Sequence, residues 1–268
     1  MLYHDPIFSV KDKTAVITGA SSGLGVTFAQ ILAERGANVV LSARRIENLN
    51  TLKESFDSEN FSSMVAQCDV TESAQVANMF TKAEEKFGRV DILVNNAGQI
   101  AEAGSVPENV TDYMFEQTVK VNLIGLWYCC KEGGRRMLSD GRGGSIINLS
   151  SVAGLNGMRG MPVAYQATKG AVTTLTKSLA ANWADRGVRV NAIAPGWFPS
   201  EMTGAWVKKG MFLDHISANS PMGRIGKPEE LTGALLLLAS NASSFINGEV
   251  ISVDGGVNAS TGLPFFTE

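Results

Sequence analysis

A short β-branched run that ends in three closely spaced glycines constrains the fold of this chain more than any other stretch. Thr14-Ala15-Val16-Ile17-Thr18 has the apolar, β-branched character of a buried strand. It passes into Gly19-Ala20-Ser21-Ser22-Gly23-Leu24-Gly25, and then into Val26, Phe28, Ala29, Ile31 and Leu32 at helical spacing. Strand, glycine turn and helix in that order are what a dinucleotide-binding turn requires. Glycines permit positive φ and let the backbone approach a pyrophosphate, while the helix N-terminus offers free N–H groups and a partial positive charge. The spacing is Gly-x-x-x-Gly-x-Gly rather than Gly-x-Gly-x-x-Gly. Taken by itself, a tight βα turn with no ligand is the alternative reading.

The alternation continues along the chain. Runs near 13–18, 37–42, 63–68, 90–94, 144–149, 188–193 and 249–253 read as strands, with helical patterns between them. No linker, repeat or low-complexity segment interrupts the series, so one domain is expected over residues 1–268. Such alternation gives a parallel sheet covered by helices on both faces. Ligands in these sheets bind beyond the carboxyl ends of the strands, where the strand order reverses. Gly98, Ser151 and Pro195 each follow a predicted strand end and are expected to meet there.

Composition narrows the function classes. An apolar content of 44% and a charged content of 18% suit a globular protein with a large core. A net charge of −3 leaves no basic footprint for nucleic acid. Residues 1–10 include Asp5 and Pro6 and lack a signal-peptide core, and the longest apolar run, 234–239, is too short to span a bilayer. A cytoplasmic protein without a membrane partner is expected. Cys68, Cys129 and Cys130 have neither disulfide nor zinc spacing; they read as buried thiols, and no metal site is expected.

Tyr165 is followed four residues later by Lys169. On a helix these positions share a face, so phenol and ammonium can point at one spot. A cation beside a phenol favours the phenolate, which is expected to pull the Tyr165 pKa toward neutrality. Such a group suits proton exchange in carbonyl/alcohol interconversion. A pair this simple also arises by chance, and its weight comes from its companions. Asp91-Ile92-Leu93-Val94 is a strand ending in Asn95-Asn96-Ala97-Gly98, and Lys120-Val121-Asn122 lies in a helical run. A further strand over 144–149 leads to Ser150-Ser151, 14 residues before Tyr165. Together with Thr-Gly-x-x-x-Gly-x-Gly, Pro195-Gly196 and Val253-Asp254-Gly255-Gly256, these motifs resemble the short-chain dehydrogenase/reductase family in its one-domain form, from about residue 13 to 256.

The resemblance implies a Rossmann-type, doubly wound α/β fold with a seven-stranded parallel sheet, and an oxidoreductase that moves hydride between a nicotinamide and a carbonyl carbon. It implies that Tyr165 gives or takes the proton on the substrate oxygen and that Ser151 holds that oxygen, with Ser150 as the fallback. Lys169 would also bind the nicotinamide ribose. Asn122 would position a water joining Lys169 to solvent, or serve only its own helix. Cofactor contacts are implied for Gly19, Ser21, Ser22, Gly23, Leu24 and Gly25 in the turn, for Asn95, Ala97 and Gly98 beneath it, and for Pro195, Gly196 and Ser200 toward the nicotinamide. Asp69 and Val70 would border the adenine; for Asp69 the alternative is an N-cap of the next helix.

Cofactor choice rests on residue chemistry. An acid at the end of the second strand, about 20 residues past the turn, holds the 2′-hydroxyl of NAD. Here the stretch reads Val39-Val40-Leu41-Ser42-Ala43-Arg44-Arg45, and the first acid is Glu47. A guanidinium without an acid suits a 2′-phosphate, so Arg44, with Arg45 and the Ser42 hydroxyl, is expected to select NADP(H). A solvated arginine pair is the alternative.

Residues 197–225 carry Trp197, Phe198, Met202, Trp206, Met211, Phe212 and Met222. In the family this region is a lid, and adaptable apolar side chains suit an apolar carbonyl or alcohol substrate. Packing of the lid against the body is the alternative. Leu155, Met158 and Met161 offer a second wall. The tail over 257–268 ends with Leu263, Phe265 and Phe266, expected to dock on a neighbouring subunit, and the family commonly forms homotetramers. A carbonyl reductase is the leading expectation. A 3-oxoacyl-[acyl-carrier-protein] reductase, marked by a basic patch among Arg135, Arg136, Arg142 and Arg159, is the nearest alternative. A sugar or polyol dehydrogenase and a silent NADP sensor or scaffold complete the set.

Overall fold

The structure, a computed structural model, describes residues 6–201, 217 and 220–260. Its strands are β1 (Thr14–Thr18), β2 (Asn38–Ala43), β3 (Ser63–Gln67), β4 (Ile92–Asn95), β5 (Gly144–Leu149), β6 (Val188–Pro195) and β7 (Val250–Val253). They form one seven-stranded sheet in the order β3-β2-β1-β4-β5-β6-β7, and every pairing is parallel. The helices are α1 (Leu24–Ala33), α2 (Ile46–Ser58), α3 (Ser73–Phe87), α4 (Asp112–Val119), α5 (Leu126–Ser139), α6 (Val163–Trp183) and α7 (Thr232–Ala239). This is the doubly wound Rossmann-type architecture that the alternating pattern implies.

Strand parity divides the core into two layers. Ala15 and Ile17 of β1, with Val39 and Leu41 of β2, join Phe28, Leu32, Phe56, Leu235 and Leu238 from α1, α2 and α7. Val16 and Val40, one residue out of phase, join Met79, Phe80, Cys129, Cys130, Val172 and Leu179 from α3, α5 and α6. Successive side chains on a strand point to opposite faces, so runs apolar at every position bury both. All three cysteines are free and buried. Among the described residues, no helix is long and apolar enough to cross a membrane.

Two departures from this apolar, regular frame lie near the carboxyl ends of the strands. Between α4 and α5 the chain makes a π-helical turn at Lys120–Gly125, where the sequence predicts only a helix; such turns insert locally into α-helices and recur at functional sites. Beneath the strand ends runs a buried polar rib. Asn95 Nδ2 donates to Asn148 Oδ1 at 2.9 Å, Asn148 Nδ2 donates to Thr176 Oγ1 at 2.9 Å, and Thr176 Oγ1 donates to the Val172 carbonyl at 2.8 Å. The rib crosses β4, β5 and α6.

Candidate active site

The strand order reverses between β1 and β4, and a cleft of about 540 Å³ opens there above the carboxyl ends of the strands. Gly98, Ser151 and Pro195 all line it, as do Gly19, Ser21, Ser22, Gly23 and Leu24 of the turn. Gly19 has φ +70°, and a Cβ there would lie 2.8 Å from Asn96 Nδ2 and 2.9 Å from Ala97 Cα. Only glycine fits this turn. Asn96 Nδ2 donates to the carbonyls of Thr18 at 2.9 Å and Gly19 at 3.3 Å, tying the end of β4 to the turn. Gly23 precedes α1 without a side-chain cap, so the first N–H groups of α1 stay available beside the cleft. A tight glycine turn, an uncapped helix start and a cleft of this size are the features a dinucleotide phosphate needs.

At the end of β2, both Arg44 and Arg45 line the cleft. The exposed Arg44 guanidinium forms no ion pair among the described residues. Arg45 is occupied: its Nη1 and Nη2 hold Glu201 Oε1 and Oε2 at 2.9 and 2.8 Å, and Nη2 reaches Ser22 Oγ at 2.7 Å and Ser21 Oγ at 3.1 Å. The hydrogen bonds from Arg45, and one with Ser22, hold the Glu201 carboxyl down to about 2. A carboxylate thus already sits on the guanidinium beside the two serines of the turn.

At the other end of the cleft, Ser151, Tyr165 and Lys169 line one wall. Lys169 is buried and its Nζ donates to the Leu149 carbonyl oxygen at 2.6 Å. Burial lowers its pKa to about 8. The expectation for Tyr165 is corrected: its pKa lies above the ordinary value, not below it. Burial pushes the phenol up, and the Ser151 hydroxyl acts in the opposite direction by hydrogen bonding. Of the adjacent serines, Ser150 is turned into α6, bonding the Lys169 carbonyl and Thr173 Oγ1, each at 3.0 Å. A phenol and a hydroxyl beside a buried ammonium are groups with which a site can exchange a proton and hydrogen-bond one oxygen.

Other candidates fall in different places. Asp69, Val70, Ala97, Gly196 and Ser200 line the cleft. Asp69 does not cap α3, whose N-cap is Glu72; its Oδ1 accepts from the Thr71 N–H and hydroxyl at 2.9 and 2.8 Å. Three expected contacts do not line the cleft. Ser42 is buried within β2. Asn95 is committed to the polar rib and to Cys130 Sγ at 3.1 Å. Gly25 packs beneath the turn, where a Cβ would lie 2.2 Å from the Gly19 carbonyl oxygen. Asn122 accepts from the Gln99 N–H at 2.8 Å and donates to the Gln99 carbonyl at 2.9 Å, so its amide clamps the loop after β4.

Sequence reasoning missed Gln99, Glu102 and Glu201, and it read Asn96 only as part of the Asn95-Asn96-Ala97-Gly98 motif. Asn96 had a signal, because side chains alternate past a strand end and Asn95 and Asn96 diverge. Of the lid residues, Phe198 is buried and lines the cleft, whereas Met222 is exposed; Met202, Trp206, Met211 and Phe212 lie outside the described residues, as do Leu263, Phe265 and Phe266.

Known proteins resemble this chain over nearly its whole length. The family profile described as "Enoyl-(Acyl carrier protein) reductase" matches residues 19–258. A gluconate 5-dehydrogenase of Gluconobacter oxydans is 38% identical over 257 residues, covering 96% of this chain and 99% of the relative. A 3-oxoacyl-[acyl-carrier-protein] reductase of Thermotoga maritima is 36% identical, covering 92% of this chain and 98% of that one. The crystal structure of a gluconate 5-dehydrogenase from Burkholderia cenocepacia, in complex with NADP and tartrate, superposes with a TM-score of 0.90 at 38% identity, covering 96% of this chain and 99% of that chain. Matches of this extent, on a cleft that joins a glycine turn to Ser151, Tyr165 and Lys169, establish that the chain belongs to the short-chain dehydrogenase/reductase family of NAD(P)-dependent oxidoreductases.

Proposed function

We propose that the protein is an NADP(H)-dependent oxidoreductase that interconverts a ketone and a secondary alcohol. The observation that carries the reading is the grouping of Ser151, Tyr165 and Lys169 in the same cleft that the glycine turn lines. When bound, the nicotinamide supplies hydride to the carbonyl carbon or accepts it from the alcohol. Ser151 orients the oxygen, Tyr165 exchanges its proton, and Lys169 places positive charge behind the phenol. Arg44 takes the 2′-phosphate, because its guanidinium lines the cleft without an ion pair among the described residues. Asn122 completes the four-residue set implied by the family resemblance, and it holds the loop that walls the same cleft.

The leading substrate is a small ketone or secondary alcohol, handled as a carbonyl reductase would. A second reading, a polyhydroxy-acid dehydrogenase, is favoured by the extent of the match to gluconate 5-dehydrogenases. The 3-oxoacyl-carrier reading is weakened by its own docking residues. Arg135 pairs with Glu132, Arg136 with Glu84 and Glu132, and Arg142 with Asp140, so of the four arginines only Arg159 is exposed without an ion pair among the described residues.

The reading extends to a cytoplasmic homotetramer. Tyr113, Phe115, Ile124 and Trp127 are exposed along α4, the π turn and α5, an apolar surface suited to a second subunit. Light scattering reports the assembly. The enzymatic reading is tested by NADPH consumption with cyclohexanone, 5-ketogluconate and acetoacetyl-coenzyme A, and by NADP⁺ reduction with the corresponding alcohols. Turnover of the first two supports it, in favour of the first or second reading; turnover of the thioester alone reverses the ranking, and no turnover of any overturns it.

A further inference from the structure

Glu102 is a buried carboxylate without a cationic partner among the described residues. Its side chain is fully enclosed, in the loop between β4 and α4. Oε1 accepts from the backbone N–H of Tyr165 at 2.8 Å, and Oε2 accepts from Thr118 Oγ1 at 2.5 Å. Both oxygens are therefore used, each on a different helix. Burying a carboxylate is unfavourable unless its hydrogen bonds are made, so a fully enclosed one marks a place where those bonds matter.

The start of α6 explains what the carboxylate satisfies. The first N–H groups of a helix have no intrahelical acceptor. Here the N-cap is Pro162, which provides no side-chain cap, and the first turn of α6 contains no acid. Tyr165 is the third residue of the helix, and its N–H is met by an oxygen from 63 residues away in sequence. A negative group at a helix N-terminus is also favoured by the helix dipole.

The same loop is fastened to α4 and the π turn. The Ala101 N–H donates to Thr118 Oγ1 at 3.0 Å, Gln99 Nε2 donates to the Gln117 carbonyl at 2.8 Å, and Asn122 clamps the Gln99 backbone from both sides. Gln99, Ile100 and Ala103 line the cleft. Glu102 thus joins the loop that walls the cleft to the helix turn that bears the phenol.

We propose that Glu102 is a positioning residue for proton transfer: by holding the Tyr165 backbone against the cleft-lining loop and Thr118, it fixes where the phenol stands relative to Ser151 and the substrate oxygen. The inference rests on the assignment of Tyr165 as the proton donor. Removing the carboxylate frees the first turn of α6 while leaving the glycine turn and Arg44 untouched, so proton transfer suffers and cofactor affinity does not.

The test compares full-length wild type, Glu102→Ala, Glu102→Gln and Tyr165→Phe. Hydrogen exchange of the peptide over residues 163–169 is read first, because it needs no substrate. Glu102→Ala should accelerate exchange there at least tenfold, with the rest of α6 unchanged. NADPH affinity, from its fluorescence, should stay within threefold. With whichever ketone the wild type reduces fastest, kcat should fall about 30-fold and the solvent deuterium isotope effect should rise. Glu102→Gln, which keeps an oxygen for the Tyr165 N–H, should recover kcat to within about fivefold of wild type. Unchanged exchange, or a kcat within twofold of wild type in Glu102→Ala, overturns the proposal, as does parallel loss of NADPH affinity and turnover. Should Glu102→Ala fail to fold, Glu102→Gln decides: a kcat loss of two- to fivefold with a raised isotope effect supports the proposal, and any other result overturns it. Turnover retained by Tyr165→Phe instead removes the tyrosine assignment, whatever the Glu102 variants do.

Discussion

Lys169 Nζ lies 5.6 Å from the centre of the Tyr165 ring and donates to the carbonyl oxygen of Leu149, at the end of β5. The ammonium is anchored to the sheet and faces the phenol from one turn further along α6. Tyr165→Phe should keep this anchor, retain NADPH binding within about twofold and lower kcat by at least about 10²-fold, the range expected for loss of a general acid. Steady-state kinetics beside fluorescence titration checks it. Retained turnover would remove the tyrosine from its role.

The buried ammonium makes stability depend on alkaline pH. Lys169 falls from its ordinary 10.5 to about 8 in the folded chain. Between those values the unfolded chain binds the extra proton, so stability rises with pH through this window, by about 3 kcal/mol in all. Urea unfolding of the cofactor-free protein should show this rise between pH 8 and 9, below the range where the buried thiols act in the opposite sense, and Lys169→Met should lack it.

Thiols act with the opposite sign from pH 9 upward, across the upper part of the Lys169 window. Burial lifts Cys68 from 9.0 to about 11 and Cys130 to about 12. Their stabilising contribution is complete below pH 9 and is lost as pH rises through the folded values, about 3 kcal/mol for Cys68. Cys68→Ala should flatten the decline between pH 9 and 11 in the same unfolding series.

Cofactor preference should move with the two arginines in different ways. Arg44→Asp should raise the KM for NADPH at least tenfold and reverse the preference toward NADH, since an acid there suits a 2′-hydroxyl. Glu201→Gln should tighten NADPH binding several-fold and leave NADH unchanged, because Glu201 holds Arg45 and would compete for it with a 2′-phosphate placed on Arg44. Glu201 titrates near 2, so the competition should persist from pH 5 to 9. Equal effects on both nucleotides would dismiss it.

Gly154 lets the segment after Ser151 touch α6. A Cβ on Gly154 would lie 2.5 Å from the Lys169 carbonyl carbon, a backbone atom with little room to move. Gly154→Ala should cost about 1–3 kcal/mol of stability as an overpacked contact and should lower kcat about tenfold by parting Ser151 from Tyr165. Denaturant melts and kinetics check both halves.

Much of the architecture is legible in the chain because parallel strands buried on both faces read as continuous β-branched runs and glycine turns have few alternatives. The seven predicted strands lie within about two residues of the observed ones, the usual uncertainty of element ends. The π turn is not legible, since Lys120-Val121-Asn122 carries no residue that distinguishes it from an α-helix. Ser42 misleads because its hydroxyl suggests a ligand contact while its strand buries it. Tyr165 does share a helix with Lys169, but the effect of burial on its ionisation depends on neighbours remote in sequence. Glu102 lies in a loop with no local pattern, and its partners at 118 and 165 come together only through the fold.

Asn95, Asn148 and Thr176 do more than satisfy one another. Apart from the Lys169 and Ser150 contacts at the strand end, helix and sheet meet through greasy surfaces, along which small axial slips encounter little resistance. Amides locked tooth to tooth in a dry interior cannot slip by one residue without orphaning several polar atoms at once. The rib therefore works as a keyway that sets the height of α6 above β5, and the reach of everything mounted on that helix is inherited from it.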